Sequence, residues 1–199
     1  MNRRDFLLTA CAAALAPSAA FPNGGFELIA RAVDAHILPD ESDATTRSFG
    51  FNGGVPGPEI RARQGQPIEV LLRNHLEEGT AVHWHGVRLQ NKMDGVPILT
   101  QDIVDPNKTH AYRFTPPDAG TFWYHSHYLS HEQVARGLMG PFIVQEDSPP
   151  DTDHDITAIL ADWQLDQDGQ LAETFGDMHD LAHAGRMGNF ARAFLPNIS

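Results

Sequence analysis

From Phe26 onward the chain alternates short apolar runs with turn-forming clusters. Residues 68–72, 81–85, 111–114, 121–125 and 140–144 are rich in branched and aromatic side chains, the composition of strands. Between them lie Asn52-Gly53-Gly54, Pro56-Gly57-Pro58, Gly65-Gln66-Pro67, Asp94-Gly95 and Pro116-Pro117-Asp118-Ala119-Gly120, which punctuate the pattern as turns. The spacing predicts an all-β fold, a β-sandwich or Greek-key barrel over residues 24–147, with one helical turn over 133–139. Residues 146–153 are acidic and broken by Pro149-Pro150, so 148–154 reads as a linker. A further strand is predicted over 155–163. The tract 155–199 is too short for a second domain with its own core, and no solenoid-type repeat is visible.

The first twenty residues read as an address. Asn2-Arg3-Arg4-Asp5-Phe6-Leu7-Leu8 precedes the small, apolar run 9–16 and the small-residue tract Pro17-Ser18-Ala19-Ala20, the charged, apolar and cleavage regions of a signal peptide. The Arg3-Arg4 pair resembles the twin-arginine signal, read by the machinery that exports folded, often cofactor-loaded proteins. The expected destination is the periplasm, with cleavage near Ala20. The apolar run is well short of the roughly 20 residues that span a bilayer, so no stable membrane anchor is expected. Leu8-Thr9-Ala10-Cys11 offers a lipoprotein box as the alternative, with a very short apolar lead-in.

Composition narrows the chemistry. The 199 residues carry a formal charge of −12, with Lys and Arg totalling 14, which argues against an electrostatic grip on nucleic acid. A single cysteine, Cys11, excludes a disulfide framework, a Cys-rich zinc site or a thiolate-held iron–sulfur cluster within this chain. The surplus is histidine, at 11.

Four of those histidines form two His-x-His pairs, His83-Trp84-His85 and His125-Ser126-His127. Residues i and i+2 of a strand point to one face, about 7 Å apart. Two such strands side by side would make a patch of four imidazoles, with Trp84 and Ser126 facing the other way. Neutral imidazole suits copper, zinc, iron or nickel, whereas Mg²⁺ and Ca²⁺ prefer oxygen ligands. The spacing does not count the ions: one between two rings or two on adjacent rings are both compatible with it. Gly86 would let neighbouring backbone or a ligand approach closely. His179 and His183, with Met178 and Met187 nearby, share a helical face and are expected to be non-ligating, while His36, His75, His110, His131 and His154 stand alone.

The flanking sequence carries a family resemblance. Phe51-Asn52-Gly53-Gly54-Val55-Pro56-Gly57-Pro58, Val82-His83-Trp84-His85-Gly86, Met93-Asp94-Gly95-Val96-Pro97, Gly120-Thr121-Phe122-Trp123-Tyr124-His125-Ser126-His127 and Gly137-Leu138-Met139-Gly140-Pro141 strongly resemble the first cupredoxin domain of the multicopper oxidases. That group includes laccases and bacterial copper-resistance oxidases. The likeness covers residues 48–147 and, through Ala161-Asp162-Trp163, touches the start of a second cupredoxin domain.

The resemblance implies a copper cofactor and a reaction. In the family a blue copper takes electrons from a reducing substrate, a phenol or cuprous ion, and passes them to a trinuclear cluster that reduces dioxygen to water. It implies His83 at the type 2 copper, His85 and His125 at one type 3 copper, and His127 at the other. Asp94 matches an acidic position near the cluster, where a carboxylate would relay protons. A turn residue preceding Gly95 is an equal reading of Asp94.

Departures from the family pattern accompany the match. The family's trinuclear site uses eight histidines, of which four stand here in matching motifs. Its His-x-x-His-x-His and His-Cys-His segments do not occur in this chain, and a blue copper needs a cysteine thiolate. The expectation is therefore a shortened oxidase that holds part of the trinuclear ligand set and lacks the type 1 site. A non-catalytic copper-binding or scaffold module is the alternative.

Overall fold

The computed structural model describes residues 25–38, 44–171 and 188–194. The predicted signal peptide, Cys11, His179 and His183 lie outside the described residues. Ten strands are described: β1 Phe26–Ala35, β2 Thr46–Phe51, β3 Ile60–Arg63, β4 Ile68–Asn74, β5 Val82–His85, β6 Thr109–Phe114, β7 Gly120–Ser126, β8 Met139–Gln145, β9 Ile159–Leu165 and β10 Gly188–Phe194. Among the described residues, helix is confined to a 3₁₀ turn at Asn91–Met93 and α1 at Ser130–Gln133.

Eight strands form two four-stranded mixed sheets, ordered β2-β1-β4-β6 and β3-β8-β7-β5. Alternation along each strand sends one set of side chains inward. Leu28, Val70, Leu72, Tyr112 and Phe114 from the first sheet meet Ile60, Val82, Trp84, Tyr124, Phe142 and Val144 from the second in one buried core. Trp84 is its hub, with ring centroids 5.0–6.0 Å from Phe114, Phe142, Tyr112 and Tyr124. The all-β sandwich expected from the turn spacing is the observed architecture.

Three local expectations are corrected. The helical turn lies at Ser130–Gln133 rather than 133–139, because Gly137, at φ +111°, takes the chain out of helix and into β8. The strand predicted from 155 begins at Ile159, since Asp155 and Thr157 turn their side chains to Arg61 of β3 instead of joining a ladder. No backbone approaches Gly86: the nearest neighbour to a Cβ there is the Phe122 ring. Its φ of +81° instead lets the chain leave β5 in a turn closed by Val87 N–H to Trp84 O.

β9 and β10 pair as a separate two-stranded ribbon. Trp163, Leu165 and Leu171 pack with Ala35, Ile37 and Met139 in a second buried cluster. The turn after β9 is stitched to the start of β2, where Thr46 Oγ1 donates to Gly169 O (2.7 Å), Arg47 N–H to Gln170 Oε1 (2.9 Å) and Gln170 Nε2 to Thr45 O (2.9 Å). Among the described residues, no helix is long and apolar enough to cross a membrane.

Candidate metal centre

β5 and β7 are antiparallel neighbours, and their register sets His83 directly opposite His125, with Trp84 opposite Tyr124 and Val82 opposite Ser126. The period of two therefore puts the histidines on one face and Trp84, Tyr124 and Ser126 on the other, buried, face. One nitrogen each from His83, His85 and His125 lies within 4.8 Å of the others, a group that could hold a metal ion. His127 follows the end of β7, its ring 5.2 Å from that of His83 and stacked 6.3 Å from that of His125. The four imidazoles predicted to share a patch do so.

Each of two rings is held by a backbone carbonyl. His83 Nδ1 lies 2.7 Å from Asp94 O and His125 Nδ1 lies 2.8 Å from Ser126 O. A carbonyl only accepts, so both rings donate from Nδ1, and the neutral form of each then carries its lone pair on Nε2. His85 Nδ1 lies 3.3 Å from His125 Nε2, so the two rings turn these nitrogens toward one another. Burial pushes the pKa of His125 from the ordinary 6.5 down to about 4; the Ser126 carbonyl opposes that shift and the neighbouring imidazoles of His83, His85 and His127 add to it. His125 thus stays neutral, the form that ligates a metal.

Asp94 is a turn residue whose backbone and carboxylate both face His83. Its N–H closes the 3₁₀ turn onto Asn91 O, and its carboxylate Oδ1 stands 3.4 Å from His83 Nδ1, partly exposed. The acceptor that orients His83 is the Asp94 backbone, so the carboxylate is left for other work. Gly95 makes this approach possible: at φ +74° its missing Cβ would lie 1.7 Å from Val82 O.

Two contributors escaped the sequence reading. The Trp123 ring lies 4.1 Å from that of His125 and 5.0 Å from that of His85, walling one side of the pair. The alternation along β7 was the signal for it, since Trp123 and His125 share a face. Gln133, with Thr80, Ser126 and Glu78, forms a buried polar cluster behind the His-Ser-His segment, and no periodicity announces it. Of the histidines expected to stand alone, His36, His75, His131 and His154 are exposed, whereas His110 is half-buried against Tyr112 at 4.7 Å, where burial lowers its pKa.

A sequence profile described as multicopper oxidase matches residues 33–149, more than half of the chain. The chain belongs to the multicopper oxidase family. Among its relatives, the copper resistance protein A homolog of Pseudomonas syringae pv. tomato is 35% identical over 158 residues, covering 74% of this chain and 26% of that protein. Laccase-2 of Botryotinia fuckeliana is 44% identical over 126 residues, covering 61% and 21%. The crystal structure of Lac15 from a marine microbial metagenome superimposes with a TM-score of 0.76 at 50% identity, covering 87% of this chain and 43% of that one. A multi-copper oxidase from Pseudomonas thermotolerans gives 0.76 at 38% identity, covering 85% and 40%. The sandwich is therefore cupredoxin-like, and this multicopper oxidase chain spans about a quarter of the length of the copper resistance proteins it matches.

Proposed function

We propose that His83, His85, His125 and His127 are copper ligands, and that the protein takes part in copper-dependent oxidation of phenols or cuprous ion with dioxygen as electron acceptor. In this reading His83 serves the type 2 copper, His85 and His125 one type 3 copper and His127 the other. The observation that carries it is the donor set: imidazoles on paired strands, two with Nδ1 held on carbonyls and Nε2 left bare. Such an all-imidazole set suits copper, which supplies one-electron redox chemistry when bound.

The chain's own residues do the rest. Asp94 O and Ser126 O orient His83 and His125, and Trp123 excludes water from one side of the His85–His125 pair. The Asp94 carboxylate, partly exposed beside His83, would carry protons toward reduced oxygen. The Arg3-Arg4 signal supports export in the folded state by the twin-arginine machinery to the periplasm. Residues 24–147 act as the N-terminal cupredoxin domain, 148–154 as a linker and 155–199 as the start of a second cupredoxin domain, a reading favoured by the separate β9–β10 ribbon.

A second reading, copper binding without turnover, draws on the sequence itself: the 199 residues hold one cysteine, in the leader, and no His-Cys-His segment. Both readings meet in one experiment on the purified chain loaded with Cu(II). Metal analysis and electron paramagnetic resonance are expected to show bound copper with nitrogen ligands, no intense blue absorption and no oxygen uptake with a phenol. His125→Ala is expected to abolish most of the copper binding. Unchanged copper binding in His125→Ala would sink the ligand assignment, and intense blue colour with oxygen uptake would overturn the reading of the isolated chain as inactive.

A further inference from the structure

The residue between His125 and His127 is anchored from behind by a glutamine. Gln133 ends α1, is fully buried, and has every polar position of its amide filled. Oε1 accepts from Thr80 Oγ1 at 2.8 Å and from Ser126 Oγ at 2.5 Å, while Nε2 donates to Glu78 Oε1 at 2.6 Å and to Gly79 O at 2.9 Å. The chemistry dictates this orientation. A flipped amide would set its oxygen against a carboxylate and a carbonyl, neither of which donates. A leucine would fill the same space without the desolvation cost of four polar contacts.

Ser126 is where the network meets the histidines. Its hydroxyl proton goes to Gln133, which turns an oxygen lone pair toward the Tyr128 N–H at 3.2 Å. That contact closes residues 126–128 into a turn with His127 at the tip, and the His127 N–H donates to Ala81 O at 3.0 Å. The Ser126 carbonyl is the acceptor for His125 Nδ1. One side chain from α1 thereby sets the peptide on which both histidines depend.

We propose that Gln133 is a positioning residue of the metal centre: by orienting Ser126 it holds His125 in the Nδ1–H tautomer, with Nε2 bare, and sets the turn that carries His127. The purpose of this device rests on the copper reading above, but its structural test does not. Glu78, held by the outer end of the amide, belongs to the same device, since it and Gly79 O fix which way the glutamine points. Thr80 shares the amide oxygen and lies 3.3 Å from Ser126 Oγ, a longer contact than the Gln133 bond, but touches neither histidine, so it serves as the control for loss of a polar contact within the cluster.

Imidazole tautomers are read directly by long-range ¹H–¹⁵N correlation on the full chain labelled at histidine and kept free of metal. His125 is expected wholly as Nδ1–H. Gln133→Met is expected to give a mixture with the Nε2–H form and to weaken Cu(II) affinity about tenfold, the scale seen when partners outside a metal's ligands are lost. Thr80→Val is expected to lower the unfolding midpoint comparably while leaving the His125 tautomer unchanged, which a purely structural role for Gln133 would not separate. A folded Gln133→Met with His125 wholly Nδ1–H and unaltered copper affinity overturns the proposal, as does an Nε2–H ring in the unaltered chain. Should Gln133→Met fail to fold, Ser126→Ala decides: it removes only the hydroxyl that Gln133 grips, and an unchanged tautomer there overturns the proposal too. If none of the chains takes up copper, the copper reading falls while the tautomer result still decides the role of Gln133.

Discussion

His125 is the most enclosed of the four imidazoles, and its chemistry follows from that position. Burial first, and then the neighbouring rings, hold its pKa near 4 in the folded chain against an ordinary 6.5, so the unfolded chain binds the proton more readily. The stabilisation contributed by a neutral His125 is fully present above about pH 6.5 and is lost as the pH falls through about 4. The metal-free chain is therefore expected to lose denaturant resistance across that window, and His125→Asn to flatten the loss. Equal pH profiles for the two proteins, followed by urea unfolding, would remove His125 as the cause. The ligand-type residues were legible in sequence because imidazole chemistry and a period of two are local properties. The free nitrogens were not, since they depend on carbonyls from Asp94 and Ser126 whose placement is a matter of tertiary contact.

At the level of elements, the centre is a strand pair braced by two connections. β5 and β7 supply register, α1 braces β7 from behind, and the loop that follows β5 presses the Met93-Asp94-Gly95 turn against Val82 and His83. Because the Asp94 backbone rather than its carboxylate holds His83, Asp94→Asn is expected to keep copper binding by the chain nearly unchanged. Gly95→Ala instead forces a Cβ into Val82 O at a left-handed φ, and is expected to cost at least about 2 kcal/mol and to weaken copper binding. Copper titration and urea unfolding of the two variants check this contrast; a benign Gly95→Ala would refute the pressed-loop geometry. The strand centres were readable from apolar alternation, whereas β1 to β3 and the place of the helical turn were not, because parallel pairing of β1 with β4 and of β3 with β8 joins segments remote in sequence.

Across the whole molecule, two buried clusters share strands. Ala35 at the end of β1 and Met139 at the start of β8 pack with Trp163, Leu165 and Leu171, while Leu28 and Ala30 of β1 and Phe142 and Val144 of β8 line the main core. Trp163 is almost fully buried there, and truncating a buried tryptophan to alanine costs about 3–5 kcal/mol. Trp163→Ala is thus expected to lower the stability of a single unfolding transition by about 3 kcal/mol; a variant that keeps the main transition in place would show that β9 melts independently. The exposed Arg61–Asp155 pair contributes little beside this, in keeping with its screening by solvent.

The amino-acid sequence alone determined the all-β class, the four candidate ligands, the elements that carry them and the family, because strand alternation, turn residues and metal-ligand chemistry are written in short stretches of chain. Only the tertiary structure decided that His83 faces His125, which nitrogen each ring leaves free, that Asp94 serves through its backbone, and that Gln133 stands behind Ser126. Those properties arise where segments tens of residues apart meet, and the free energy of burying and pairing their polar groups, rather than any local preference, fixes how they meet.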